Sequence, residues 1–207
     1  MQWTRSKWKL PVGLGLAVLF VAGVALIPSV ASAEEETGAH DHAAHMTASG
    51  NEGVQDELAQ ARRATARFHR LEEALAAGYE MGWVNGSGAR IITGCVSNPT
   101  AGAMGYHYFN AELMADLAVD PLAPEALVYE STPDGGLKLV ALEWVVRGPE
   151  SNPAGWPARA SPPTLFGMDM HILVPPPGPG FYLMHAWVWK NNPAGMFADW
   201  NPEVTCP

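Results

Sequence analysis

The sequence has few basic residues, only one long apolar run and no short motif of a known catalytic site. Its 12 Lys and Arg residues against 21 Asp and Glu residues give a formal charge of −9, which argues against nucleic acid and anionic lipid surfaces as partners. The sequence has no HExxH motif, and the loop at residues 97–105 lacks the Gly-Lys-Ser/Thr ending of a phosphate-binding loop. There is also no convincing internal repeat. Function must therefore be sought in residues that are distant from one another in the sequence.

The one long apolar run lies at the N-terminus. Basic residues at positions 5, 7 and 9 precede apolar residues 10–27, and Ala31-Ser-Ala33 follows as a small-x-small cleavage signal. This order predicts a secretory signal peptide at residues 1–33, with an uncleaved membrane anchor as the alternative because the run is nearly long enough to span a bilayer. We therefore expect a secreted, periplasmic or cell-envelope protein whose mature chain has no membrane segment. Removing residues 1–33 takes away three basic and no acidic residues, which leaves a formal charge of −12.

Residues 34–53 are acidic at first and then small and polar, without apolar periodicity. This composition predicts a disordered linker. Three histidines, His40, His42 and His45, lie in it beside Asp41. They can bind copper or zinc loosely, or they belong to a solvated linker that is simply rich in histidine.

The two cysteines, Cys95 and Cys206, are predicted to form a disulfide, as expected for an exported protein. The bridge would join the C-terminus to the middle of the chain. A closed loop of that length contributes on the order of 4–5 kcal/mol in the chain-entropy model.

Residues 54–207 are predicted to form a single globular domain. Apolar residues recur at helical spacing over residues 54–77, and Asn110 is placed to cap a short helix at 111–117. Residues 126–147 read as a β-hairpin around a Pro-Asp-Gly-Gly turn, and residues 181–189 as a strand that is covered on both faces. The pattern predicts an α+β fold, in which an N-terminal amphipathic helix packs on an antiparallel β-sheet or a small open barrel.

Four polar residues interrupt strand-like segments that are otherwise apolar: His107, Glu143, His171 and His185. Burying such side chains is costly unless they are paired or bind a metal ion. Inward-facing side chains of neighbouring strands converge, so these four are predicted to form a metal site, with zinc or copper as the expected cofactor. Glu143 is the candidate catalytic residue, as a base beside a metal ion held by three histidines.

Two other interpretations remain open from the sequence. The four residues are a buried His–Glu hydrogen-bond network in a structural or envelope protein, or the domain is a non-catalytic module that binds a small molecule. In the second case Trp156, Trp200 and Tyr106 would line the pocket. The long loop at 148–163, which contains Trp156, is of the kind that often forms a lid.

Three segments resemble a group of exported bacterial proteins of unassigned function. They are residues 64–69 with 77–79, the sequence Met-Gly-Tyr-His-Tyr at 104–108, and His185-Ala-Trp-Val-Trp189 with the segment Asn192 to Pro202. The resemblance covers most of residues 54–207. It implies an exported domain that stands alone, and it brings no activity or site residues with it.

Overall fold

The structure, a computed structural model, describes residues 39–85, 87–148, 160–173 and 180–207. The predicted signal peptide at 1–33 and residues 34–38 of the predicted linker lie outside these ranges. So do residues 149–159 of the predicted lid loop, with Trp156. No helix among the described residues is both long and apolar enough to cross a membrane.

The described part of the chain starts with helical segments and continues mainly as strands. The helical segments are α1 (Ala39–Thr65), a 3₁₀ turn (Ala66–His69), α2 (Leu71–Ala76) and, later in the chain, α3 (Ala111–Ala115). The strands are β1 (Tyr79–Met81), β2 (Trp83–Val84), β3 (Arg90–Ile91), β4 (Cys95–Asn98), β5 (Gly102–Asn110), β6 (Ala126–Ser131), β7 (Leu137–Arg147), β8 (Thr164–Leu165), β9 (Met168–Asp169), β10 (His171–Leu173) and β11 (Phe181–Ala186).

Seven strands form one open antiparallel sheet in the order β1-β5-β6-β7-β11-β10, with β4 also paired to β5. The predicted α+β class and the helix packed on an antiparallel sheet are thus confirmed, and the sheet is open rather than closed into a barrel. The hairpin of β6 and β7 confirms the prediction for residues 126–147.

The helical segments from α1 to α2 cover one face of the sheet, whereas α3 packs on the other. Leu58, Phe68 and Ala74 belong to the same buried cluster as sheet residues such as Leu142 and Met184. The hydroxyl of Tyr129 on β6 donates a hydrogen bond to the carbonyl oxygen of Phe68, which ties the 3₁₀ turn to the sheet. This face therefore contains the larger part of the apolar core.

Two helix predictions differ from the structure. Helix α1 begins at Ala39, so it includes residues 39–53 of the predicted linker, where four alanines favour helix. The helix predicted at 54–77 is interrupted after Thr65, whose hydroxyl donates to the carbonyl oxygen of Ala61 four residues earlier. Such bonds compete with the helical pattern and bend helices.

The predicted helix cap and disulfide are both present. The side chain of Asn110 accepts hydrogen bonds from the backbone N–H groups of Glu112 and Leu113, so α3 begins where the sequence predicts. Cys95 is bonded to Cys206, and 111 residues separate them in the sequence. The bridge anchors the C-terminal segment beside β4.

The strand predicted at 181–189 ends at Ala186. Beyond it, the backbone N–H of Trp187 donates to the carbonyl oxygen of Met196 instead of to a neighbouring strand. The C-terminal segment also contributes to the other face of the sheet, where Trp187 and Val204 pack with Val128 and Ala141. This second face is the one that carries the candidate site.

Candidate functional site

All four predicted site residues lie on strands of the main sheet, and the strand register places them on one face. Glu143 on β7 is paired with His185 on β11 and, on its other side, with Ala126 on β6. His107 on β5 lies two residues from Phe109, which is the partner of Ala126. Because paired residues and residues two apart share a face, the side chains of His107, Glu143 and His185 project from the same side.

His171 reaches this face from the edge of the sheet. It is paired with Leu183, two residues before His185, so it shares the face but lies one row away from Glu143. Its side chain is 45% exposed, whereas that of His107 is 3% exposed. The structure therefore divides the predicted set into three buried residues and one peripheral histidine.

The three buried residues form a compact polar cluster. Nε2 of His107 lies 3.6 Å from Oε2 of Glu143, and the ring centroids of His107 and His185 are 6.3 Å apart. The side chain of Ala126 lies on the intervening strand, and its small size allows His107 and Glu143 to approach each other across β6. The indole of Trp187 closes one side, with its ring centroid 4.7 Å from that of His185.

Several polar atoms of this cluster have no hydrogen-bond partner within it. The 3.6 Å separation of His107 and Glu143 is longer than an ordinary hydrogen bond. Nδ1 of His107 and both ring nitrogens of His185 are buried without a hydrogen-bond partner among the described residues. Buried polar groups are nearly always paired, so the two ring nitrogens of His185 in particular call for a further partner.

Burial favours the uncharged form of all three groups. Desolvation lowers the pKa of His107 to about 4 and that of His185 to about 3, the latter with a smaller contribution from His107. Desolvation also raises the pKa of Glu143 to about 8, and the nearby charge of Asp199 adds to this increase. Neutral imidazoles are the form that binds metal ions.

The sequence did not single out Asp199, which joins this group from the C-terminal loop. Its Oδ1 lies 3.2 Å from Nε2 of His171. This short contact with Asp199 raises the pKa of His171 above its ordinary value. Its charge also opposes the lowering of the pKa of His185. The only sequence signal for Asp199 is its position in the segment 192–202, which follows the strand with His185.

The donors are near one another but do not converge on one point. Within the described ranges, no three His, Cys, Asp or Glu side chains are placed together at metal-binding distance. Two imidazoles on one tetrahedral ion have ring centroids about 5 Å apart, as follows from metal–nitrogen bonds of about 2.1 Å. The rings of His107 and His185 therefore need to approach each other by about 1 Å to share an ion.

One of the three residues predicted to line a small-molecule pocket does line one. Trp200 lines a pocket of about 390 Å³ together with Thr100, Ala194 and Asp199. Tyr106 is not among its lining residues, and Trp156 lies outside the described ranges. The pocket thus includes Asp199, whose charge acts on His185 and Glu143.

Comparison with protein-family models, with curated proteins and with solved structures gave no match for this chain. The resemblance to exported bacterial proteins stays a prediction from the sequence. Functional inference must therefore come from the site itself.

Proposed function

We propose that the domain binds one divalent transition metal ion, zinc or copper, through His107, Glu143 and His185. The observation that carries this proposal is the 3.6 Å separation between Nε2 of His107 and Oε2 of Glu143. Two donors on a tetrahedral zinc ion, each about 2.1 Å from the metal, are about 3.4 Å apart. This separation is thus too long for a hydrogen bond and close to the length that a shared ion requires.

The unpartnered ring nitrogens support the same proposal. A metal ion provides a partner for a nitrogen of His185, which is fully buried and otherwise unpaired. Two imidazoles and a carboxylate are ligands that suit zinc and copper. In this proposal Glu143 binds the ion. Its alternative role as a base requires three histidine ligands, and His171 is instead paired with Asp199.

Export of the domain is part of the proposal. The disulfide between Cys95 and Cys206 is typical of oxidising compartments, and the predicted signal peptide agrees with it. We therefore propose that the metal ion is acquired in the cell envelope or outside the cell.

Elemental analysis of the full chain tests the proposal once the N-terminal histidines are removed. His40, His42 and His45 are replaced by Ala so that the tail does not contribute to the count. The protein is stripped with a chelator, incubated with each metal ion in turn and desalted. We expect one equivalent of zinc or copper, with a rise in melting temperature because the ion binds only the native state.

Two further variants show where the ion binds. His185→Gln should retain less than about a tenth of an equivalent, since it removes a donor from a three-donor site. His69→Gln is the matched control, because His69 is exposed and lies outside the cluster. A parent protein that takes up no metal, or a His185→Gln protein that takes up as much as its parent, would show the proposal to be wrong.

A further inference from the structure

The C-terminal loop holds Asp199 in a defined place next to the proposed metal centre. The carbonyl oxygen of Ala198 accepts a hydrogen bond of 2.6 Å from the indole N–H of Trp187. The carbonyl oxygen of Trp200 accepts one of 3.0 Å from the side-chain amide of Asn192. Both neighbours of Asp199 are therefore fixed through their backbone, and only its side chain is left to move.

A second set of bonds attaches this loop to the sheet. Asn201 pairs with Ala103 on β5 through two backbone hydrogen bonds of 3.1 Å. Its side-chain amide donates to the carbonyl oxygen of Asn191 at the start of the loop. The disulfide at Cys206 holds the chain beyond this point. Asp199 is thus anchored to β5, the strand that carries His107.

The side chain of Asp199 is only partly exposed to solvent. It is 28% exposed, while its Oδ1 atom is buried and close to His171. It also lines the pocket that contains Trp200 and Thr100. An ion or small molecule that enters this pocket therefore meets the Asp199 carboxylate.

Charge gives an independent reason to count Asp199 in the centre. A divalent ion bound to His107, His185 and the Glu143 carboxylate leaves a net charge of about +1, because the imidazoles are neutral ligands. These residues are 0–5% exposed, and an uncompensated charge there is costly. A second carboxylate makes the site neutral, and Asp199, which is in contact with His171 on the same face of the sheet, can supply it.

We propose that Asp199 is the fourth protein ligand of the metal ion and that His171 is a positioning residue that holds its carboxylate. This rests on the proposed function above, because it concerns the same ion. The ligand set is then two histidines, one glutamate and one aspartate, which completes a tetrahedral site. His171 makes the contact with a ligating carboxylate that orients such ligands in metal sites. The sequence-based prediction of His171 as a direct ligand is replaced by this role.

The test uses Co²⁺ as a spectroscopic probe in the full chain with the three tail histidines replaced. Asp199→Asn should weaken binding at least tenfold and change the visible absorption of the bound ion, because one oxygen donor is lost. His171→Gln should weaken binding and leave the shape of the absorption bands unchanged, since the ligands stay the same. Asp56→Asn is the matched control, because it makes the same chemical change at an exposed position on α1 and should alter neither quantity.

The outcomes separate the two proposals. If the parent protein binds no Co²⁺, the metal centre itself is wrong. If the parent binds and Asp199→Asn gives the same affinity and spectrum, Asp199 is not a ligand and only this inference is wrong. If Asp199→Asn does not fold, Asp199→Glu replaces it, and we expect it to bind Co²⁺ with altered absorption bands. An unaltered spectrum in that variant would also overturn the inference.

Discussion

At the residue scale, the central feature is a group of side chains whose burial is not balanced by hydrogen bonds. His185 is fully buried and neither of its ring nitrogens has a partner among the described residues. Each unpaired buried group costs about 1–3 kcal/mol. A residue that lowers the stability of the metal-free protein in this way is typical of a functional site.

Replacing His185 by Leu separates a functional role from a structural one. Because the variant removes two unpaired nitrogens and keeps a similar volume, we expect the free energy of unfolding of the metal-free protein to stay the same or to rise by about 1 kcal/mol. The metal-dependent rise in melting temperature should disappear. Chemical denaturation with and without added zinc measures both quantities.

A loss of several kcal/mol in the metal-free His185→Leu protein would instead support the hydrogen-bond network of a structural protein. His69→Leu is the surface control. It should change neither the stability without metal nor the response to metal.

The sequence predicts the buried residues because each interrupts an apolar strand. Alternation along β7 and β11 identifies Glu143 and His185 as buried polar residues, and the strand register confirms that they are neighbours. Alternation contains no information on distance across the sheet, so the 3.6 Å contact of His107 with Glu143 was not predictable. Asp199 could not be found in this way, because it lies in a loop without periodicity.

At the element scale, the C-terminal loop connects the fold to the site. The Gly102 backbone has φ +101°, and a Cβ atom at this position would overlap the carbonyl oxygen of Asn201. Close approach of backbones is a reason for glycine in a strand. The packing of β5 against the loop thus depends on the absence of a side chain at residue 102.

Gly102→Ala should therefore disturb both stability and the site. We expect a loss of about 2 kcal/mol or more in the free energy of unfolding, because the clash adds to the backbone strain of positive φ. We also expect weaker zinc binding, because the loop that carries Asp199 is displaced. Thermal unfolding and a zinc titration provide the two measurements.

Gly135→Ala is the matched control for this prediction. Gly135 also has positive φ, at +82°, but a Cβ atom there meets nothing within 4 Å. It should cost about 1 kcal/mol from strain alone and leave zinc binding unchanged. Equal effects of the two substitutions would contradict the role given to the contact between Gly102 and Asn201.

Element boundaries were harder to predict than element types. The apolar periodicity of residues 54–77 is continuous, yet the helix is interrupted after Thr65 by a side-chain hydrogen bond to Ala61. The apolar alternation that begins at Phe181 continues to Trp189, yet the strand ends at Ala186. In both places a tertiary or side-chain contact outweighs a local pattern.

At the scale of the whole molecule, the two faces of the open sheet have different roles. The face under the helices is apolar and contains most of the core. The opposite face carries the polar cluster, and the C-terminal segment covers part of it. The disulfide secures that segment to β4, so the covering of the site does not depend on apolar packing alone.

The pH dependence of the free energy of unfolding should show the effect of Glu125, which is a buried acid like Glu143. Desolvation is the main reason that the pKa of Glu125 rises from 4.5 to about 8. The folded protein then holds a proton between these pH values that the unfolded chain releases. Stability due to this group is fully present below pH 4.5 and is lost as the pH rises toward 8, by up to about 1.4 kcal/mol per pH unit.

Glu125→Gln tests this dependence in the metal-free protein. The amide oxygen can still accept the hydrogen bond that the Glu125 carboxylate receives from the backbone N–H of Val145. We expect the variant to match the parent near pH 4.5 and to be more stable near pH 8. Denaturant unfolding at several pH values measures the difference. A difference that is constant with pH would show that Glu125 titrates normally in the folded protein.

The most direct test of the account is a crystal structure of the zinc-loaded full chain with anomalous scattering measured at the zinc edge. We expect one strong peak within about 2.2 Å of a ring nitrogen of His107, a ring nitrogen of His185 and a carboxylate oxygen of Glu143. The two histidine ring centroids should lie closer together than the 6.3 Å described above. A peak elsewhere, or no peak in protein that was loaded with zinc, would contradict it.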